Sequence, residues 1–133
     1  MKTLLAATLM LASLSAFAHE AVYNQESIKV LQEHPLPHVP GKKTIMLTVD
    51  YAPGQATVPH SHTGTAVAYV LQGAITSRVN DEQAKTYKVG ETFYEPAGSR
   101  HFESSNASQT QPAKLLVVIV LDDKAEVLTP LPQ

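Results

Sequence analysis

The sequence predicts an all-β domain built as a sandwich or a closed barrel. Three observations point to this fold class. All nine prolines and all six glycines fall after residue 18, where they divide the chain at short intervals. The runs between them are rich in β-branched and aromatic residues, which favour strands. No run of 12 or more residues after residue 18 carries an apolar stripe at helical spacing.

Nine strands are predicted between these breaks. In chain order they are Ile28–Glu33, Thr44–Tyr51, Thr57–Ser61, Ala66–Gln72, Ile75–Val79, Lys85–Val89, Thr92–Glu95, His101–Ser104 and Lys114–Leu121. In the second strand, Ile45, Leu47 and Val49 alternate with more polar neighbours, which is the period of a half-buried strand. Within the last strand, Leu115–Leu121 is a continuous apolar run, whose β-branched residues favour a strand covered on both sides over a buried helix.

Turn residues set the ends of these strands. Pro59 fixes the approach to the third strand, and Gly64 turns the chain after it. The next three strands run to Gly73, to an Asn-Asp turn at 80–81 and to Gly90, which predicts two antiparallel hairpins. Residues 34–41 contain three prolines and two histidines, and we expect a stiff extended connector with exposed histidines there.

The first 18 residues are predicted to be a signal peptide. Lys2 gives a positive start, residues 4–17 are apolar but too short for a membrane span, and residues 16–18 form an A-x-A cleavage site. We therefore expect a single domain over residues 19–133 with no membrane insertion after cleavage. The leader is of bacterial type, which predicts a periplasmic destination.

Composition narrows the function further. The chain of 133 residues has a net charge of −2 and no cysteine. Thiol catalysis, disulfides and cysteine zinc sites are therefore excluded. A mildly acidic chain without a basic stripe is not expected to bind nucleic acid. Histidine and carboxylate remain as the main strong metal ligands.

His60 and His62 form the strongest candidate site. On a strand, residues i and i+2 point to the same face, roughly 6.5 Å apart at Cα, so both imidazoles can reach one metal ion. Two unrelated surface histidines are the alternative interpretation. His101 strengthens the metal hypothesis, because the two predicted hairpins between it and His62 can return the chain to the first pair.

Two segments around these histidines resemble the motifs of the cupin superfamily. Residues 54–73 are similar to the first motif, G-x5-H-x-H-x3-E-x6-G, and residues 90–106 to the second, G-x5-P-x-G-x2-H-x3-N. The 16 residues between them suit a small single-domain cupin of the bacterial type. The motifs lie within 54–106, and the flanking strands extend the resemblance over most of the predicted domain.

The resemblance implies a double-stranded β-helix, or jelly-roll barrel, that holds one divalent metal ion in its mouth. Carried over position by position, His60, His62 and His101 become metal ligands. Three imidazoles suit Fe, Mn, Ni, Zn or Cu, so the metal itself is not identified by the sequence.

The glutamate ligand of the pattern is missing, because its position is taken by Ala66. Three interpretations stay open. A three-histidine site leaves positions for water, oxygen or a bidentate substrate. Alternatively, Glu95 takes the place of the missing glutamate, either as a ligand or as a catalytic base, since a buried charge just before Pro96 needs a partner. The simpler alternative is that Glu95 faces solvent or pairs with Arg78 or Arg100. In the third interpretation the metal site has decayed.

Three functions are compatible with these features. The first is a dioxygenase-like oxygenase, or a hydrolase or isomerase, whose small substrate chelates the metal through oxygen. The second is a non-catalytic periplasmic module that binds a metal or a small ligand. The third uses the barrel only as a scaffold. We also expect a homodimer, because open jelly rolls leave strand edges and an apolar face to cover.

Overall fold

The structure, a computed structural model, describes Val22–Tyr23 and residues 26–132. The predicted signal peptide, residues 1–18, lies outside the described residues. The described residues include no helix with the length and hydropathy of a membrane span.

Strands and turns make up the described fold. In chain order the strands are β1 (Val22–Tyr23), β2 (Ser27–Pro35), β3 (Lys42–Tyr51), β4 (Gln55–Thr57), β5 (His60–Ser61), β6 (Thr65–Gln72), β7 (Ala74–Val79), β8 (Lys85–Lys88), β9 (Thr92–Glu95), β10 (Arg100–Asn106), β11 (Ala113–Asp122) and β12 (Thr129–Pro130). A seven-stranded sheet has the order β1-β4-β10-β5-β12, with β7 and β8 attached through β10, and a five-stranded sheet has the order β2-β3-β11-β6-β9. The predicted all-β fold class is confirmed.

The two sheets contribute unequally to the interior. The residues of a strand alternate between its two faces. On β3, β6 and β11, every second side chain therefore points inward, and most of these inward side chains are apolar. Among the described residues, the seven-stranded sheet contributes Ile75 to the main hydrophobic cluster and buries two other apolar side chains on its strands, Ala56 and Val79. The polar side chains that this sheet buries are more numerous, and they are Thr57, His60, Ser77, His101, Ser104 and Asn106. A polar inner face opposite an apolar one therefore marks the place for a site.

The predicted strand Thr57–Ser61 is not continuous. β4 ends at Thr57 and β5 begins at His60. Pro59 lies in the gap, and proline has no N–H to donate to a neighbouring strand. Both pieces still pair with β10, so the break leaves their direction in the sheet unchanged.

The expectation of an extended connector over residues 34–41 was wrong. β2 continues to Pro35 and pairs with β3, and the prolines that follow lie in the turn of this hairpin. The Leu36 N–H donates to the Lys42 carbonyl at 2.9 Å. Gly41 has φ of +77°, a conformation that glycine adopts without strain. Both histidines of the segment are exposed, as predicted.

β10 is irregular at Phe102. Its register with β7 shifts between His101 and Glu103, which is a β-bulge. The extra residue resets the alternation, so His101 and Ser104 are both buried although they are three positions apart. One strand thereby places two polar side chains on the inner face.

Candidate metal centre

Four residues singled out from the sequence converge between the sheets. His60 lies on β5, His62 follows that strand directly, Glu95 ends β9 and His101 lies on β10. His60 and His101 are paired across β5 and β10, whereas Glu95 comes from the opposite sheet. All four are between 3% and 6% exposed. One potential ligand atom from each residue lies within 4.8 Å of the others.

The potential ligand atoms are close neighbours. The Nε2 atoms of His60 and His62 are 3.2 Å apart. Glu95 Oε2 lies 3.1 Å from His62 Nε2 and 3.1 Å from His101 Nδ1. These separations are comparable to those between ligands of a single ion, because two ligands about 2.1 Å from one metal are about 3.0–3.4 Å apart at ordinary coordination angles.

The other nitrogen of each ring is held from behind. His60 Nδ1 lies 2.7 Å from the Val58 carbonyl, and His62 Nδ1 lies 2.6 Å from the Val127 carbonyl. A carbonyl only accepts hydrogen bonds, so both Nδ1 atoms carry the proton. In the neutral rings, both Nε2 atoms therefore turn a bare lone pair inward, as a metal ligand requires.

The inward-facing atoms of this arrangement cannot satisfy one another by hydrogen bonds. Two unprotonated nitrogens 3.2 Å apart cannot form a hydrogen bond with one another. Glu95 Oε2 and His101 Nδ1 are also buried, and neither has a hydrogen-bond partner of acceptable geometry among the described residues despite their 3.1 Å contact. A cation shared by the four atoms satisfies all of them at once. The residues present therefore fit a divalent metal ion.

The electrostatics agree with this fit. Burial opposes ionisation of Glu95, but the close contacts with the His101 and His62 rings and the charges of these rings outweigh it and lower the pKa of Glu95 to about 2. Burial lowers the pKa of His60 to about 4, with the neighbouring rings adding to the effect and the Val58 carbonyl opposing it. Burial also acts to lower the pKa of His62, but Glu95 outweighs it and the pKa is raised. At neutral pH the centre thus holds a carboxylate and a neutral His60.

Ser77 takes part in this centre and was not found from the sequence. Its Oγ lies 2.8 Å from His101 Nε2, behind the third ring. The Val58 and Val127 carbonyls were missed for a similar reason. A backbone carbonyl or a strand serine carries no motif, and these contacts depend on strand register and on the segment after β11 folding back.

A cavity of about 50 Å³ adjoins the four residues. Its wall is mostly apolar and comes from the inner face of the five-stranded sheet, with Leu47, Phe93 and Leu115 among the lining side chains. Val127 and Leu128 complete the lining from the segment after β11. The centre therefore opens into a small, largely apolar space.

Comparison with known proteins identifies the family. Residues 47–119 match the family model described as the cupin domain. The chain belongs to the cupin family. The predicted membership is thus confirmed, and the two motifs identified in the sequence lie entirely within the matched range.

Several known proteins are similar to this cupin. Over 86 residues it is 37% identical to germin-like protein subfamily 2 member 2 of Arabidopsis thaliana, a match that covers 59% of this chain and 38% of the relative. This cupin therefore spans well under half the length of that relative. The crystal structure of TT1209 from Thermus thermophilus is 28% identical with a TM-score of 0.58, covering 74% of this chain and 88% of that one. Oxalate oxidase in complex with the substrate analogue glycolate shares the fold, at 20% identity and a TM-score of 0.62, covering 92% and 69%.

This cupin carries its carboxylate on a different strand from the motif it resembles. Ala66 occupies the motif's glutamate position on β6 and is fully buried. Glu95 on β9 is its direct partner across the antiparallel pair. Directly opposed residues share a face of the sheet with Cβ atoms about 4.5–5.5 Å apart. Glu95 thus reaches the centre from the adjacent strand, and the small side chain of Ala66 leaves room for it.

Proposed function

We propose that this cupin binds one divalent metal ion through His60, His62, Glu95 and His101 and acts on a small substrate that donates oxygen atoms to that metal. The observation that carries the proposal is the pair of bare ring nitrogens 3.2 Å apart beside a buried carboxylate. Fe, Mn, Ni, Zn and Cu all suit such a set of nitrogen and oxygen ligands.

The side chains and carbonyls around the centre have distinct tasks. When bound, a divalent metal polarises an oxygen ligand, and a redox-active one also supports oxygen chemistry. The carbonyls of Val58 and Val127 hold His60 and His62 in the tautomer that directs Nε2 inward. The apolar wall limits access of water. Because Glu95 Oε2 faces two imidazoles, a role as ligand is better supported than the general-base role expected from the sequence.

For the reaction, we propose oxygen-dependent conversion of a short, oxygen-rich acid, with hydrolysis or isomerisation as the lesser alternative. The similarity to germin-like proteins supports this class. So does the fold shared with an oxalate oxidase that holds glycolate as a substrate analogue. The small cavity favours a substrate of few atoms.

Oxygen uptake tests the proposal. Protein reconstituted with Mn(II) or Fe(II) is incubated with oxalate or glycolate while dissolved oxygen and products are measured. We expect turnover with at least one acid, loss of turnover in His101→Ala, and retention in His34→Ala, whose histidine is exposed on β2. Binding without turnover would contradict the enzymatic role.

That outcome would favour the second candidate, a non-catalytic module that captures a metal or a small ligand. The observation in its favour is the small volume of the cavity, about 50 Å³, which leaves little room for a substrate beside a metal ion. For either function we propose export to the periplasm, which rests on the predicted leader at residues 1–18 alone. Amino-terminal sequencing of the mature protein tests this, and a first residue other than His19 would contradict cleavage after residue 18.

A further inference from the structure

A second group of buried polar side chains faces the same cavity. Tyr51 on β3, Thr57 on β4 and Ser104 on β10 are between 2% and 5% exposed. The Tyr51 hydroxyl lies 2.6 Å from Thr57 Oγ1 and 3.0 Å from Ser104 Oγ. We call these three residues the hydroxyl cluster. All three line the cavity that His60, His62, Glu95 and His101 line.

The pairing of the strands places the hydroxyl cluster three residues along β10 from the metal centre. Thr57 is paired with Ser104 across β4 and β10, as His60 is paired with His101 across β5 and β10. Three positions along a strand correspond to roughly 10 Å, less where the strand bulges. The bulge at Phe102 allows both pairs to face the interior. The cavity therefore has two polar ends.

The protons of the cluster do not all have acceptors. Each hydroxyl has one proton to donate, and the two contacts within the cluster use two of the three. Among the described residues, no other side chain or carbonyl accepts the third. Burial raises the pKa of the Tyr51 hydroxyl, so this group stays a neutral donor at physiological pH. A free O–H group beside apolar walls is unfavourable unless a bound molecule accepts it.

The surroundings also limit the charge of that molecule. No lysine or arginine lines the cavity among the residues that the structure describes. A carboxylate placed at the hydroxyl cluster would be buried without a cation, which is costly. A neutral hydroxyl or carbonyl oxygen has no such cost. The cavity volume of about 50 Å³ favours a short ligand.

We propose that the hydroxyl cluster is a second binding site for the substrate, a short 2-hydroxy or 2-oxo acid. One end of this acid is held at the metal, and the hydroxyl cluster hydrogen-bonds a neutral oxygen at its distal end. This inference rests on the proposed function, because it assumes a metal-bound acid. It adds a specificity determinant that selects acids with a distal oxygen over those ending in a methyl group.

A matched pair of ligands tests the inference. Glycerate and 2-hydroxybutyrate have the same chelating end and similar size, but glycerate ends in a hydroxyl and 2-hydroxybutyrate in a methyl. Calorimetric titration of Mn(II)-loaded protein is expected to give at least about tenfold tighter binding of glycerate. Tyr51→Phe should lower that ratio, because it removes one of the three hydroxyl donors and the shared partner of the other two, while leaving the metal content unchanged. Tyr69→Phe is the control, since it removes the same hydroxyl from the outer face of β6.

Other outcomes overturn the inference. Equal affinity of the wild-type protein for the two acids, or an unchanged ratio in Tyr51→Phe, would show that the hydroxyls only link the two sheets. If Tyr51→Phe does not fold, Ser104→Ala and Thr57→Val serve as second variants with the same expectation. Metal-loaded protein that binds neither acid would overturn the second binding site, whereas protein that takes up no metal would overturn the proposed function itself.

Discussion

The Nε2 atoms of His60 and His62 face each other at the centre of the site. The Nδ1 protons of these rings are committed to carbonyl oxygens, so the space between the Nε2 atoms must receive a metal ion or an added proton. His62 is the ring on which a proton is favoured, because it also contacts Glu95. The metal-free and metal-bound states should therefore respond differently to pH.

Without metal, acid should destabilise the protein below pH 6.5. The pKa of His60 is about 4 in the folded chain against an ordinary value of 6.5, so the unfolded chain takes up the proton first and stability falls as the pH drops through this window. The expected loss is about 3 kcal/mol. Glu95, with its pKa lowered to about 2, adds a further loss below about pH 4.5. The pKa of His62 is raised in the folded chain. Its contribution to stability is therefore retained below pH 6.5 and lost as the pH rises.

Urea denaturation with a chelator present, between pH 7 and pH 4, measures this dependence. The His60→Asn variant should lose most of the slope, whereas His38→Asn, which changes an exposed turn residue, should keep it. Equal slopes in the wild type and His60→Asn would contradict the assigned cause.

At the scale of strands, the pairing of β6 with β9 decides which residue supplies the carboxylate. Ala66 and Glu95 are directly opposed, so moving the carboxylate back to β6 keeps it on the same face. Glu95→Ala alone should weaken metal binding by about 100-fold or more, since it removes the charged ligand. The double variant Ala66→Glu/Glu95→Ala should recover most of that affinity.

Competition with a fluorescent chelator gives these affinities. Val67→Glu/Glu95→Ala is the matched control, because Val67 is the next residue on β6 and faces outward. A shift of one residue moves a side chain to the other face of a strand. This variant should therefore bind metal as weakly as Glu95→Ala does. Equal affinities of the two double variants would contradict the proposed exchange between strands.

The pairing of β6 with β9 also explains which residues of the site could be predicted from the sequence. The spacing of His60 and His62 and the turn before His101 carried enough information to predict three of the four residues. Glu95 was identified as a candidate because a charge before Pro96 is unusual, but its place opposite Ala66 depends on a register between strands separated by a hairpin. The role of Ser77 depends on the same kind of non-local pairing, which no local pattern encodes.

For the whole molecule, the outer face of the five-stranded sheet carries apolar side chains that no other part of residues 26–132 covers. Val67, Tyr69, Leu71, Tyr94 and Val120 are each between 39% and 57% exposed on this face. Val67 is paired with both Val118 and Tyr94, so the apolar surface is continuous across β11, β6 and β9. Monomeric proteins seldom leave large continuous apolar surfaces in water. We therefore retain the proposal of a homodimer, formed through this face.

Light scattering coupled to size-exclusion chromatography tests the dimer. The wild-type protein should have the mass of two chains, and Val67→Lys/Tyr94→Lys should have the mass of one. Val89→Lys is the control, since Val89 is equally exposed but follows β8 in the other sheet. A wild-type mass of one chain would contradict the proposal.

The central claim is that His60, His62, Glu95 and His101 together hold one divalent metal ion. Elemental analysis of protein purified from its native compartment tests this claim most directly, when the wild type is compared with His101→Ala. We predict close to one equivalent of a single transition metal in the wild type and almost none in the variant. A wild-type protein without metal, or a variant with the same metal content, would contradict the account.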